Sequence, residues 1–244
     1  MTELPPGFGD PVATDVAGID ADAAPAAMPD AALFMAPEVF ARIAARVSRT
    51  LSPEALDRDR VPLDGDHTLN AWDIPPDFLA EARVAAVLIG LVERDDGLHI
   101  ILTQRASALR VHSGQIAFPG GKMDPEDASP AATALREVYE EIGIPADRIE
   151  VLGYLGAYLT RTGFRIVPVI ARIMPPFALV LNPDEVVDTF EVPFSFLMSE
   201  ANHQLREREW KGAPRRFYAM PYGERNIWGI TAGILRNLYE RLYL

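Results

Sequence analysis

From residue 37 onward, apolar positions recur at nearly regular intervals: Val39, Ile43, Val47 and Leu51, with Phe40 and Ala44 beside them. That period matches one face of a helix of about four turns beginning at Pro37, whose fixed φ suits a first helical position. The stretch that follows, to Glu81, carries Pro53, Pro62, Pro75 and Pro76 and little periodicity. It reads as a covering loop with one short helix near Pro53 to Leu56. From Arg83 to Val92 the chain is almost continuously apolar, as in a strand buried on both faces. Leu98 to Thr103 follows across Asp96-Gly97, a hairpin signal. Ser129-Pro130 before an alanine-rich run predicts a helix with Ser129 as N-cap and Pro130 in its first position, closed by Gly143 and Pro145. Ile149 to Leu159 and Phe164 to Ile173 read as two more strands around Thr160-Arg161-Thr162-Gly163. Ile227 to Leu242 reads as a last helix, with Ile227, Ile234, Leu238 and Leu242 on one stripe. Strands on both sides of a central helix predict an α/β fold, a mixed sheet with helices against it.

Composition narrows the classes. The chain has 244 residues, enough for one domain with extensions and a core that needs no covalent staples. It has no cysteine, which excludes disulfides, thiol nucleophiles and cysteine-held zinc. With 23 basic against 35 acidic side chains, its net charge of −12 disfavours non-specific binding to nucleic acid or anionic membrane. An anionic substrate would then need metal ions and a local basic patch. No apolar run reaches the roughly 18 residues of a membrane span. Residues 1 to about 30 are rich in Ala, Pro and Asp, and no Lys or Arg precedes Arg42, unlike a signal or transit peptide. These features point to a cytoplasmic protein with a flexible tail. The alternative is an arm, anchored by Leu33, Phe34 and Met35, that packs on a second copy of the chain in a homodimer.

Candidate chemistry concentrates between Leu102 and Ile144. Glu137, Glu140 and Glu141 lie within one and a half turns of the predicted helix, so three carboxylates share a side of it. Like charges at that spacing repel, and the arrangement calls for a cation. Oxygen-only ligands favour Mg²⁺ or Mn²⁺ over zinc. Upstream, Phe118-Pro119-Gly120-Gly121 makes a turn where backbone can approach a ligand closely. An acidic loop with Asp124, Glu126 and Asp127 joins the two.

Gly121, Asp127, Arg136-Glu137, Glu140-Glu141 and Gly143 resemble the Nudix box, the signature of hydrolases that cleave nucleoside diphosphates linked to another group. Asp127 stands where the generic box has glutamate, and eight residues rather than seven precede Arg136. The longer box of the coenzyme A pyrophosphatase branch is a closer likeness. Its second signature is similar to Leu102, Thr103, Arg105, Ala106, Arg110, Gly114 and Phe118 to Gly121.

The resemblance implies a Nudix α/β/α sandwich over residues 82–244, preceded by a tail (1–30) and a helical extension with covering loop (31–81). It implies that Glu137 and Glu141 are the principal metal ligands, with Glu140 and Asp127 as further ligands. Arg136 would pair with Glu140 and orient the carboxylates. Arg105 and Arg110, with Gly120 and Gly121, would recognise the nucleotide or diphosphate, and Glu185 would join the metal site or activate water. Arg206, Arg208, Lys211, Arg215 and Arg216 form a local basic excess that reads either as a solvated hairpin or as a contact for the 3′-phosphate of coenzyme A. The implied reaction is metal-assisted hydrolysis of coenzyme A to 4′-phosphopantetheine and 3′,5′-ADP. ADP-ribose, NADH or an acyl-CoA as substrate, and a nucleotide-sensing regulator without hydrolysis, are the alternatives.

Overall fold

The computed structural model of the chain describes residues 31–106, 114–210 and 212–244. The expected tail, Arg110 and Lys211 lie outside the described residues. In chain order the elements are α1 (Ala36–Arg46), β1 (Asp64–Gly65), α2 (Pro76–Glu81), β2 (Arg83–Arg94), β3 (Gly97–Arg105), β4 (Ile116–Ala117), β5 (Gly120–Lys122) and α3 (Pro130–Ile142). They continue with β6 (Ile149–Tyr154), β7 (Tyr158–Leu159), β8 (Phe164–Ile173), β9 (Val186–Pro193), α4 (Phe194–Leu197), β10 (Gln204–Trp210), β11 (Ala213–Tyr222), β12 (Arg225–Trp228) and α5 (Ile230–Tyr243).

The centre of the main sheet is the parallel pair β2 and β8, flanked by antiparallel β3, β5, β6 and β7. This mixed sheet carries helices on both faces. Strand alternation sorts the β2 side chains: Ala86, Leu88 and Val92 meet Ala134, Val138 and Ile142 of α3, whereas Ile89 and Leu91 join the cluster formed with α1 and α5. β10, β11 and β12 form a separate antiparallel sheet. Its β11 and β12 strands pack against α5.

Several elements differ from the sequence expectation. Helix α1 stops at Arg46 because Val47 turns extended and Ser48 forms a bridge to Tyr154. Gly153 permits that contact, since a Cβ there would lie 2.5 Å from the Ser48 carbonyl oxygen. The expected single strand over 149–159 is two, β6 and β7. They are separated opposite Pro168, which offers no N–H and only accepts a bond from the Leu155 N–H. Helix α2, over residues read as loop, starts with Pro76 in its first turn. Helix α5 begins at Ile230, not Ile227, because Ile227 pairs with Met220 and Gly229 reverses the chain at φ +65°. Within the proposed arm, Phe34 packs on Phe194 and Tyr243 of the same chain, and Met35 is exposed.

Helix α3, which carries the acidic box, is anchored at both ends as expected. The Ser129 hydroxyl oxygen accepts from the Ala132 N–H at 3.2 Å, and Gly143 closes the helix at φ +76°. Replacing Ser129 with Ala is expected to cost about 1 kcal/mol, read as a lower midpoint with unchanged slope in urea denaturation.

Candidate active site

The site forms where β5 meets α3. Gly120 and Gly121 pair with Val87 and Ala86 of β2, and the Leu88 N–H donates to the Pro119 carbonyl at 2.8 Å. Gly120 sits at φ +153°, and a Cβ there would lie 2.4 Å from the Ala86 carbonyl oxygen. Glycine is therefore required twice over, by backbone angle and by space. A Cβ on Gly121 would lie 2.4 Å from Glu137 Oε1, so the bare backbone leaves room for that carboxylate.

Glu141, only 1% exposed, accepts a hydrogen bond on Oε2 from the Gly120 N–H at 3.1 Å. Arg105 Nη1 is 3.7 Å from Glu141 Oε1. Carboxylate oxygens of Glu137, Glu141 and Glu185 all lie within 4.8 Å of one another. Burial pushes the Glu141 carboxyl up to about 8. The Gly120 bond and Arg105 pull against that shift, while the Glu137 and Glu185 charges add to it. Burial also raises Glu137, partly offset by Arg136.

Glu185 comes from the turn before β9. The turn is tied down on two sides. The Asn182 N–H donates to the Glu141 carbonyl at 2.9 Å, and the Ala106 N–H donates to the Glu185 carbonyl at 2.8 Å. The Asn182 amide also reaches Glu185 Oε1 at 3.3 Å. A register shift between Gln104 and Arg105 on β3, opposite β9, lies beside this turn.

Asp127 and Glu140 fall elsewhere. Arg136 binds Asp127 through Nε and Nη2 at 3.1 and 2.8 Å and binds Glu140 through Nη1 at 2.9 Å. The same Nη1 reaches Glu137 Oε1 at 3.0 Å, and Nη2 reaches the Lys122 carbonyl at 3.2 Å. The Arg136 guanidinium, aided by the Thr133 hydroxyl, holds the Asp127 carboxyl well below the usual carboxylate range. Glu140 is 48% exposed at its side chain. Arg136 therefore joins the acidic loop to the helix and steadies Glu137, while the carboxylates that converge are Glu137, Glu141 and Glu185.

A cleft of about 450 Å³ opens beside Gly120 and Gly121. Apolar side chains such as Val87, Phe164 and Ile166 line part of it. The β10–β11 hairpin supplies Arg208, Arg215 and Arg216, so part of the basic segment lines the cleft, while Arg206 does not. Trp228 and Thr231 line it too, while Gly233 serves packing instead: a Cβ there would meet Tyr158 Oη at 2.6 Å. Asp66, Asn70 and Arg161 also line the cleft and were not legible in the sequence as site residues. They lie in stretches read as a covering loop and a turn, with no local motif.

Three oxygen donors in partly dry surroundings, two of them (Glu137 and Glu141) with raised proton affinities, suit a hard divalent cation. Comparison with known proteins agrees with this chemistry. The NUDIX domain family model matches residues 82–215. The chain belongs to the Nudix family of pyrophosphohydrolases, which act on nucleotide-type small molecules and use divalent metal ions. Among its relatives, the Uncharacterized Nudix hydrolase NudL of Photorhabdus laumondii is 38% identical over 169 residues, covering 69% of this chain and 90% of that protein. The Yersinia pestis protein of the same name is 38% identical over 165 residues, 68% of this chain and 82% of that one. Among solved structures, the NUDIX domain of Shewanella oneidensis NrtR complexed with ADP ribose has a TM-score of 0.44 at 20% identity, covering 72% of this chain and 96% of that chain. A C. elegans Ap4A hydrolase binary complex has a TM-score of 0.39 at 18% identity, covering 46% and 80%. No helix among the described residues is long and apolar enough to cross a membrane.

Because Glu141 binds its proton more tightly folded than unfolded, its contribution to metal-free stability is full at low pH. That contribution is lost as pH rises through about 8. A bound cation takes the proton's place. Calorimetric titration with Mn²⁺ is therefore expected to show affinity rising by up to about tenfold per pH unit between roughly pH 5 and 8. A pH-independent affinity would contradict the burial account. The Gly121→Ala variant, whose Cβ intrudes on Glu137, should lose about 10- to 100-fold in Mn²⁺ affinity in the same titration.

Proposed function

We propose that the protein hydrolyses the diphosphate of coenzyme A or an acyl derivative, giving 3′,5′-ADP and (acyl-)4′-phosphopantetheine. The observation that carries this reading is the position of the carboxylate cluster. It adjoins a cleft that combines apolar walls with arginines, as an elongated substrate with a diphosphate centre, an aromatic base and further anionic charge requires.

Glu137 and Glu141 are the principal ligands for Mg²⁺ or Mn²⁺. A divalent ion held there supplies charge neutralisation of the diphosphate and a more acidic water. Glu185 accepts the proton as water oxygen attacks phosphorus and the bridging P–O bond breaks, with Asn182 holding its carboxylate. Gly120 and Gly121 let the phosphate chain approach the backbone closely. Arg105 lies beside Glu141 and lines the cleft, where its remaining N–H groups would meet phosphate oxygens. Arg136 does not touch the reacting atoms. It positions Glu137 and the acidic loop, and Glu140 and Asp127 act through it.

Coenzyme A, ADP-ribose and NADH should be incubated separately with the protein and Mg²⁺ or Mn²⁺, and the products separated. Metal-dependent release of 3′,5′-ADP from coenzyme A, reduced at least about a hundredfold in Glu141→Gln, is the expected result. Cleavage of ADP-ribose or NADH with coenzyme A spared would keep the metal chemistry and overturn the substrate. Binding of these nucleotides without hydrolysis would make the domain a sensor instead.

A further inference from the structure

The described residues hold a second concentration of charge that diphosphate hydrolysis does not use. A neighbouring pocket of about 510 Å³ shares Asn70, Arg161, Trp210, Arg215 and Arg216 with the substrate cleft. Arg216 is already paired with Glu207 at 3.0 Å. Arg161 is not so compensated: its Nε is buried with no hydrogen-bond partner among the described residues, and Nη2 only reaches the Ala71 carbonyl at 3.5 Å. Burial and the nearby Arg215 charge weaken its hold on its proton, and the Asp66 charge opposes them only in part. Two like charges and an unsatisfied buried donor cost stability unless an anion joins them. An oxygen-rich dianion matches two forked guanidinium groups best.

The arrangement is built by the segment that precedes the family match at residue 82. Asp66 Oδ2 accepts from the Arg161 N–H at 2.9 Å, and Asp66 Oδ1 accepts from the Tyr158 hydroxyl at 3.1 Å. The Asn70 side chain bonds the Arg216 backbone in both directions, accepting from N–H at 2.8 Å and donating to the carbonyl at 2.9 Å. The Trp72 ring lies 4.8 Å beneath the Arg161 guanidinium. One short stretch thus fixes both the loop that carries Arg161 and the strand that carries Arg215.

We propose that Arg161 and Arg215 form a subsite for a phosphate monoester carried by the substrate away from the scissile diphosphate, and that Asp66 and Asn70 are positioning residues for it. The proposal rests on the coenzyme A reading above, in which the 3′-phosphate is such a group.

The test compares kcat/KM for coenzyme A and 3′-dephospho-coenzyme A in the wild type, Arg161→Gln, Arg161→Lys and Asn70→Ala. The wild type should prefer coenzyme A. Arg161→Gln should cut that preference tenfold or more through KM, and Arg161→Lys should retain part of it. Asn70→Ala should lower the preference by a smaller factor with kcat for coenzyme A retained. An unchanged preference in Arg161→Gln overturns the subsite. Calorimetric titration with 3′,5′-ADP and with 5′-AMP needs no turnover and separates this failure from failure of the substrate reading. A tenfold preference for 3′,5′-ADP that Arg161→Gln abolishes supports the subsite even if coenzyme A is not hydrolysed. Equal binding of the two by the wild type overturns it even if coenzyme A is hydrolysed. Inorganic phosphate that binds without competing with 3′,5′-ADP would mark a free-anion site and overturn the assignment to substrate.

Discussion

Mutual repulsion among Glu137, Glu141 and Glu185 is the constraint to which the surrounding structure answers. At 4.8 Å and an effective dielectric near 20, two ionised carboxylates repel by roughly 3 kcal/mol. The Gly120 hydrogen bond to Glu141 offsets on the order of 1.5 to 3 kcal/mol, Arg105 at 3.7 Å adds a partial counter-charge, and Arg136 at 3.0 Å from Glu137 adds another that it shares with Asp127 and Glu140. These do not balance three charges in a partly dry site. The protein therefore either keeps protons on the cluster or fills it with a cation, and Glu141's raised proton affinity expresses that choice.

The scaffold holds this unfavourable arrangement by rigid means. Helix α3 is capped at both ends and buries Ala134, Val138 and Ile142 against the central strands, which fixes the direction in which Glu137 and Glu141 project. The glycine turn is paired into the sheet at β2, so its N–H groups cannot retreat from the carboxylates. Arg136 spans Asp127, Glu137, Glu140 and the Lys122 carbonyl, and one planar cation thereby aligns loop, strand and helix. The N-terminal segment adds a second layer of positioning at the basic end of the cleft. There Asp66 and Asn70 bond to backbone rather than to charged side chains, leaving the guanidinium groups available.

Much of this was legible in the sequence because it rests on local signals. Ser129-Pro130 and Gly143 bound a helix by capping chemistry, and the expected hairpin joins β2 to β3, although its loop residues are Asp95 and Asp96 rather than Asp96-Gly97, since Gly97, in β3, already pairs with Arg94. The box residues sit within a helical turn or two of one another, so helix geometry alone places Glu137 beside Glu141. Local geometry also sets Glu140 near them. Its diversion to Arg136 and solvent depends on where the helix meets the sheet, which no local pattern encodes.

Sequence by itself determined β2 as a strand buried on both faces, the capped acidic helix, and the glycine turn that must lie close to something. Those follow from periodicity and from φ preferences carried by single residues. Glu185, 44 residues beyond Glu141, was legible only through the family resemblance, and tertiary structure brings it to the carboxylate cluster. Tertiary structure also decided that Asn70 clasps Arg216 and that Arg161 and Arg215 line one cleft. These contacts join segments far apart in the chain, and their partners are chosen by sheet register and packing. The residues themselves are the same charged and amide side chains that elsewhere on this protein merely face water.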